Sequence, residues 1–66
     1  MNIVLNGEQR NLDGALTLRG LIDHLDLAGK RLAVEVNEEV VPRSEHADFR
    51  LHDGDRIEIV HAIGGG

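Results

Sequence analysis

The sequence predicts an α+β domain with one amphipathic helix packed on one face of a mixed sheet of about five strands. Three observations predict it. Asn2 to Asn6 alternates and places Ile3 and Leu5 on one face of a short strand. Leu18, Leu21, Ile22 and Leu25 recur at i, i+3, i+4 and i+7, which is one helical stripe. Arg56 to His61 alternates again, with Ile57 and Ile59 inward. A lone apolar stripe is buried most simply against one face of one sheet.

Each element has its own signal. Asn6-Gly7 is a hairpin turn pair, because both residues tolerate positive φ, and Glu8 to Leu12 is then the returning strand. Asp13-Gly14 closes that strand with a second turn. Thr17 stands where an N-cap hydroxyl accepts from a free helix N–H. The helix is expected from Leu18 to about Leu27, with Arg19 and Asp23 on its wet side and Gly29 as a left-handed cap. Gly20 costs about 1 kcal/mol against alanine, and close approach of helix to sheet is the expected return. Leu32 to Val36 reads as a strand with Val34 and Val36 on one face. Asn37-Glu38-Glu39 is a turn, and Val40-Val41 opens a short strand that Pro42 confines to an edge or an end. Ser44 to Asp48 reads as a single helical turn capped by Ser44, after which Phe49 and Leu51 return to the core. His52 to Asp55 is a turn into the last strand. Pairing the two most evenly amphipathic strands, the first and the last, in parallel at the sheet centre gives a ubiquitin-like β-grasp over residues 1–63. A glycine tail, 64–66, follows it.

Composition narrows the function classes. Sixty-six residues allow one small domain. With no cysteine, a disulfide scaffold or a cysteine zinc site is excluded. The chain carries 7 basic and 12 acidic residues, net charge −5, and a single aromatic residue, so it offers neither a basic stripe nor a stacking platform for nucleic acid. No apolar run is long enough to span a bilayer, and a cytoplasmic address is the expectation. Residues 34–66 hold eight acids and three bases and so carry the whole acidic excess. Such a run is ordinarily a solvated face; its functional reading is a docking surface for a basic partner. A deep catalytic pocket is hard to carve from a core this small.

The terminal Gly64-Gly65-Gly66 run carries the chemistry-bearing signal. Terminal glycines are most often a frayed end. Here they follow the last core strand with only Ala62-Ile63 between, and a strip without Cβ atoms threads a channel too narrow for side chains. A main-chain carboxylate delivered that way is a handle, but it is a poor electrophile until activated. The chain has no phosphate-cradling loop, so activation falls to a partner. The four histidines are weaker candidates: His24, His46, His52 and His61 lack helical metal-site spacing, and surface positions account for them, so no metal is expected. Ser44 with a histidine as a nucleophile pair is weaker still. Asp53-Gly54-Asp55 lacks the remaining ligands of a calcium loop. With Ile57 and Ile59 inward, Arg56, Glu58 and Val60 face outward, and Glu58, Val60, Ala62 and Ile63 form the expected docking patch at the tail root.

The opening strand Met1 to Asn6, the Val40-Val41-Pro42-Arg43 stretch, Asp53-Gly54-Asp55, Ile57-Glu58-Ile59-Val60-His61 and the closing Gly65-Gly66 together resemble the ThiS family of thiamine-biosynthesis sulfur carriers, over essentially the whole chain. Gly64 is an extra glycine before the usual pair. The resemblance implies a non-enzymatic carrier that binds no cofactor itself. A ubiquitin-activating-type enzyme adenylates the Gly66 carboxylate with ATP. Sulfur drawn from cysteine through a desulfurase persulfide converts it to a thiocarboxylate, and thiazole synthase accepts the sulfur. Gly64 and Gly65 give access. Two readings share the fold and tail: the molybdopterin synthase small subunit, which tends to be longer with aromatic residues where this chain has Ala62-Ile63, and a ubiquitin-like protein modifier or other sulfur carrier. A binding module with an inert tail is the reading from a different class.

Overall fold

A computed structural model of the chain describes residues 1–14 and 16–61. Strand β1 (Asn2–Leu5) turns into β2 (Glu8–Asn11); helix α1 (Leu18–His24) follows; then come β3 (Leu32–Val36), β4 (Glu39–Val40), a 3-10 turn at Arg43–Glu45, and β5 (Arg56–His61). The sheet order is β2-β1-β5-β3-β4. The parallel central pair is the expected one, with Val4 opposite Arg56 and Leu5 opposite Ile57. Antiparallel β3 flanks β5 with Val34 opposite Ile59. The helix stripe of Leu18, Leu21 and Ile22 meets Ile3, Leu5, Val34, Val36, Ile57 and Ile59 in one aliphatic core. Burying such side chains contributes about 1.5–3 kcal/mol each, and this is what holds a domain without disulfides.

Local chemistry sets the element ends. Asn6 and Gly7 both take positive φ, as the two-residue hairpin requires. Asn37 and Glu38 do the same between β3 and β4, so the turn is one residue shorter than expected and Glu39 joins the strand. Thr17 Oγ1 accepts from Gly20 N at 3.1 Å, which confirms the N-cap. The next free donors are taken by a neighbouring segment: Leu18 N donates to Phe49 O at 2.8 Å and Arg19 N to His46 O at 2.9 Å.

Four expectations are corrected. The helix ends at His24, with Asp26, not Gly29, in the left-handed position. Asp26 N bonds Asp23 O and Leu27 N bonds Ile22 O, both at 3.0 Å, a Schellman closure that an aspartate tolerates because its short side chain suits positive φ. Gly29 has its positive φ in the turn beyond. Gly20 does not let the helix approach the sheet: a Cβ there would meet Leu16 and Thr17, the chain entering the helix. Ser44 caps nothing, because the 3-10 turn begins after Pro42 and has no side-chain cap. His46 is buried, not at the surface, with 6% exposure; its Nε2 lies 3.0 Å from Val41 O and ties the 3-10 turn to the end of β4.

Candidate functional site

The sheet has one covered and one open face, and β5 belongs to both. Ile57 and Ile59 are in the core, while Arg56, Glu58, Val60 and His61 are exposed. Val60 is 56% exposed, so the expected apolar residue does stand outward at the end of the central strand. The register assembles its neighbours: Ala33 lies opposite Val60, and Glu35 lies opposite both Glu58 and Val40. Val40, 73% exposed, marks the edge of the face. An apolar pair near the tail root and an apolar edge thus flank the directly opposed carboxylates Glu35 and Glu58. Like charges opposite one another destabilise a sheet by a few tenths of a kcal/mol or more. A shallow depression of about 150 Å³, lined by Val4, Glu35, Glu38, Arg56 and Glu58 among others, opens on this face. Among the described residues the one ion pair is Arg19–Asp23 at 3.8 Å, on the helix, so these glutamates have no cation within that reach.

The strand carrying this face is clamped at both sides by the two turn asparagines. Asn6 Oδ1 accepts from Ile59 N at 2.9 Å and its Nδ2 donates to Ile59 O at 3.2 Å. Asn37 Oδ1 accepts from Arg56 N at 3.0 Å, and its Nδ2 donates to Asp55 Oδ1 at 3.0 Å. Asp55 is buried and also accepts from His52 N at 2.7 Å through Oδ2. The Asp53 carboxylate accepts from Asn2 N at 2.6 Å. The Asp53-Gly54-Asp55 turn therefore anchors the N-terminal ends of both strands of the central parallel pair, a structural duty for both carboxylates.

Of the expected site residues, Glu58 and Val60 lie on the open face where alternation places them. Ala62, Ile63, Gly64, Gly65 and Gly66 lie outside the described residues. Glu35, Ala33 and Val40 were not singled out from sequence. Alternation in Leu32–Val36 already turns Ala33 and Glu35 outward, but only the register sets them beside Val60 and Glu58. Among the described residues no three histidine or acidic side chains form a metal-holding group. His46 commits Nε2 to a backbone carbonyl, while His24, His52 and His61 are exposed. No helix among the described residues is long and apolar enough to cross a membrane.

Among the described residues, one α-helix on a five-stranded mixed sheet, with β5 central and parallel to β1, defines a ubiquitin-like β-grasp domain. The chain is similar to the crystal structure of the thiamine biosynthesis protein ThiS from Geobacter metallireducens, with a TM-score of 0.87, 33% identity and full coverage of both chains. The ThiS family matches residues 3–66, and the chain belongs to that family. The sulfur carrier protein ThiS of Escherichia coli is 30% identical over the full length of both chains, and that of Thermus thermophilus is 40% identical over 62 residues, 94% of this chain and 95% of its own. A thiazole synthase of Paramagnetospirillum magneticum is 44% identical over all 66 residues, but this chain spans 20% of its length, as it does of the thiazole synthase of Magnetococcus marinus.

Proposed function

We propose that the chain carries sulfur as a thiocarboxylate on Gly66 and is a co-substrate of its partners rather than an enzyme. The observation that supports this best is the family match running through Gly65-Gly66, attached to a domain whose central strand ends at His61. The Gly66 carboxylate displaces pyrophosphate from ATP, on a ubiquitin-activating-type partner, to give an acyl-adenylate. The terminal sulfur of a persulfide, charged by a cysteine desulfurase, then displaces AMP and leaves an acyl disulfide. A thiol attacks the donor's sulfur in that S–S bond, which releases the thiocarboxylate and leaves the donor's sulfur in a disulfide with that thiol. Gly64 and Gly65 supply the narrow strip that reaches a recessed centre. The chain supplies no phosphate cradle and binds no ATP of its own.

Docking falls to the open face, with Val60 as the apolar anchor and the Glu35–Glu58 pair receiving a basic side chain of the partner, and Ala62 and Ile63 are the next contacts along the chain. A cation placed between those carboxylates relieves their mutual repulsion, so the interaction is favoured on binding. The acceptor is thiazole synthase, a reading supported by relatives of that name in which a stretch like this chain makes up one fifth of the length.

The test is a mass measurement. The 66-residue chain is incubated with ATP, cysteine, a cysteine desulfurase and the adenylating enzyme. It is expected to gain the mass of one sulfur replacing one oxygen, with fragmentation placing the gain on Gly66. Removing Gly66 shortens the reach by about 3.3–3.6 Å and should abolish the gain, and Gly65→Val should block it with an unchanged circular dichroism spectrum. Sulfur on a side chain, or equal labelling of the shortened chain, overturns the reading.

A further inference from the structure

On the side away from the open sheet face, a second groove runs between α1 and the 3-10 turn. It is lined by Arg19, Ile22, Lys30, Leu32, Arg43 and His46 and encloses about 60 Å³. Its floor is aliphatic and its rim is cationic: three of the chain's seven lysines and arginines converge here, although the net charge is −5. Of those three, only Arg19 has a carboxylate partner among the described residues, Asp23 at 3.8 Å. The walls are pinned. Arg19 N donates to His46 O at 2.9 Å, which binds helix to turn, and the His46 ring is held on Val41 O at 3.0 Å. The groove is thus preformed, and little ordering is needed to fill it.

We propose that this groove docks an acidic segment of a partner protein, with one aliphatic side chain lowered onto Ile22 and Leu32 and its flanking carboxylates meeting Arg19, Lys30 and Arg43. The proposal is independent of where sulfur is carried. The occupant follows from the lining. A bare anion would use the rim and leave the aliphatic floor uncovered, and a purely apolar peptide would leave the cations unmatched. The depression is small, about 60 Å³, and suits the tip of one aliphatic side chain. A second copy of the chain has a segment of similar character in Glu38-Glu39-Val40 at its exposed hairpin. That contact would be heterologous, however, and would set copies each of charge −5 against one another. A partner's segment meets neither obstacle. A carrier with grooves on opposite sides holds one partner on the sheet face while a second engages the helix side.

The test uses the isotopically labelled full chain and an acetylated, amidated Glu-Asp-Leu-Asp-Glu peptide, followed by amide chemical shifts. The expected shifts fall on Arg19, Lys30, Leu32, Arg43 and His46. Replacing the peptide's leucine by alanine should weaken binding several-fold. The Lys30→Glu/Arg43→Glu chain, with both substitutions on exposed side chains, should bind about tenfold more weakly. Arg50→Glu, an exposed cation outside the groove, should bind as the parent does. Four results overturn the proposal: shifts confined to the sheet face; equal affinity for the leucine and alanine peptides or for inorganic phosphate, which marks a general anion site only; no shift at the highest peptide concentration; or a self-associated chain in sedimentation that Lys30→Glu/Arg43→Glu dissociates, which assigns the groove to a second copy.

Discussion

The two faces of the sheet differ in what their residues are for. On the covered face, Ile57 is 1% exposed and packs with Ile3, Leu18, Leu21 and Val34, all among the most buried side chains of the protein. One residue along the same strand, Glu58 faces solvent opposite another glutamate, and Val60 lies bare. A strand's period of two lets one segment hold the fold with one row and present a surface with the other. The open face carries opposed like charges and two exposed valines. The opposed carboxylates cost stability on this face, and a cation supplied from outside would offset that cost.

That comparison is sharpened by removing residues from each face in turn. Leu21→Ala empties a fully buried position and should cost about 2–5 kcal/mol. The whole domain is worth only about 3–10 kcal/mol at 0.05–0.15 per residue, so the urea midpoint should fall steeply from the parent's. Asp55→Ala removes the acceptor for His52 N and Asn37 Nδ2 and should cost about 1–3 kcal/mol, read in the same experiment. A midpoint unchanged from the parent would show that water replaces the clamp without loss. Val60→Asp should leave stability within about 0.5 kcal/mol while clearly weakening binding to the adenylating partner in calorimetry. If it destabilises like Leu21→Ala, the open face is part of the fold and the contrast fails. Glu35→Gln is the smallest effect: relief of the Glu58 repulsion should raise stability by a few tenths of a kcal/mol, and binding to a basic partner surface should fall. A loss of stability would mean that the two carboxylates are not in conflict.

Much of the fold was legible because its signals are local. The Asn6-Gly7 turn, the Thr17 cap and the alternation of Ile57 and Ile59 each depend on a few neighbouring residues, and each is where the sequence places it. The helix end was misread because glycine is the usual left-handed residue, and Asp26 took that role three positions before Gly29. His46 was misread because nothing local distinguishes a solvated histidine from one whose ring reaches a carbonyl five residues back. On the open face, the outward turn of Glu58 and Val60 could be read, but the meeting of Glu35 with Glu58 could not, since it depends on the pairing register of strands 20 residues apart.

By itself, the sequence determined which side of each strand and helix is apolar, and therefore that one helix must cover one sheet. It determined this because side-chain periodicity is fixed by backbone geometry at each residue. It also placed the glycines two residues after the last core strand, which is a matter of order along the chain. Only the tertiary structure decided what stands beside what. The clamp of Asn6 and Asn37 on β5, the glutamate pair flanked by valines, and the gathering of Arg19, Lys30 and Arg43 around Ile22 and Leu32 each join residues from separate elements. Their partners are set by strand register and by the seating of the 3-10 turn on the helix, and these are properties of the packed core as a whole.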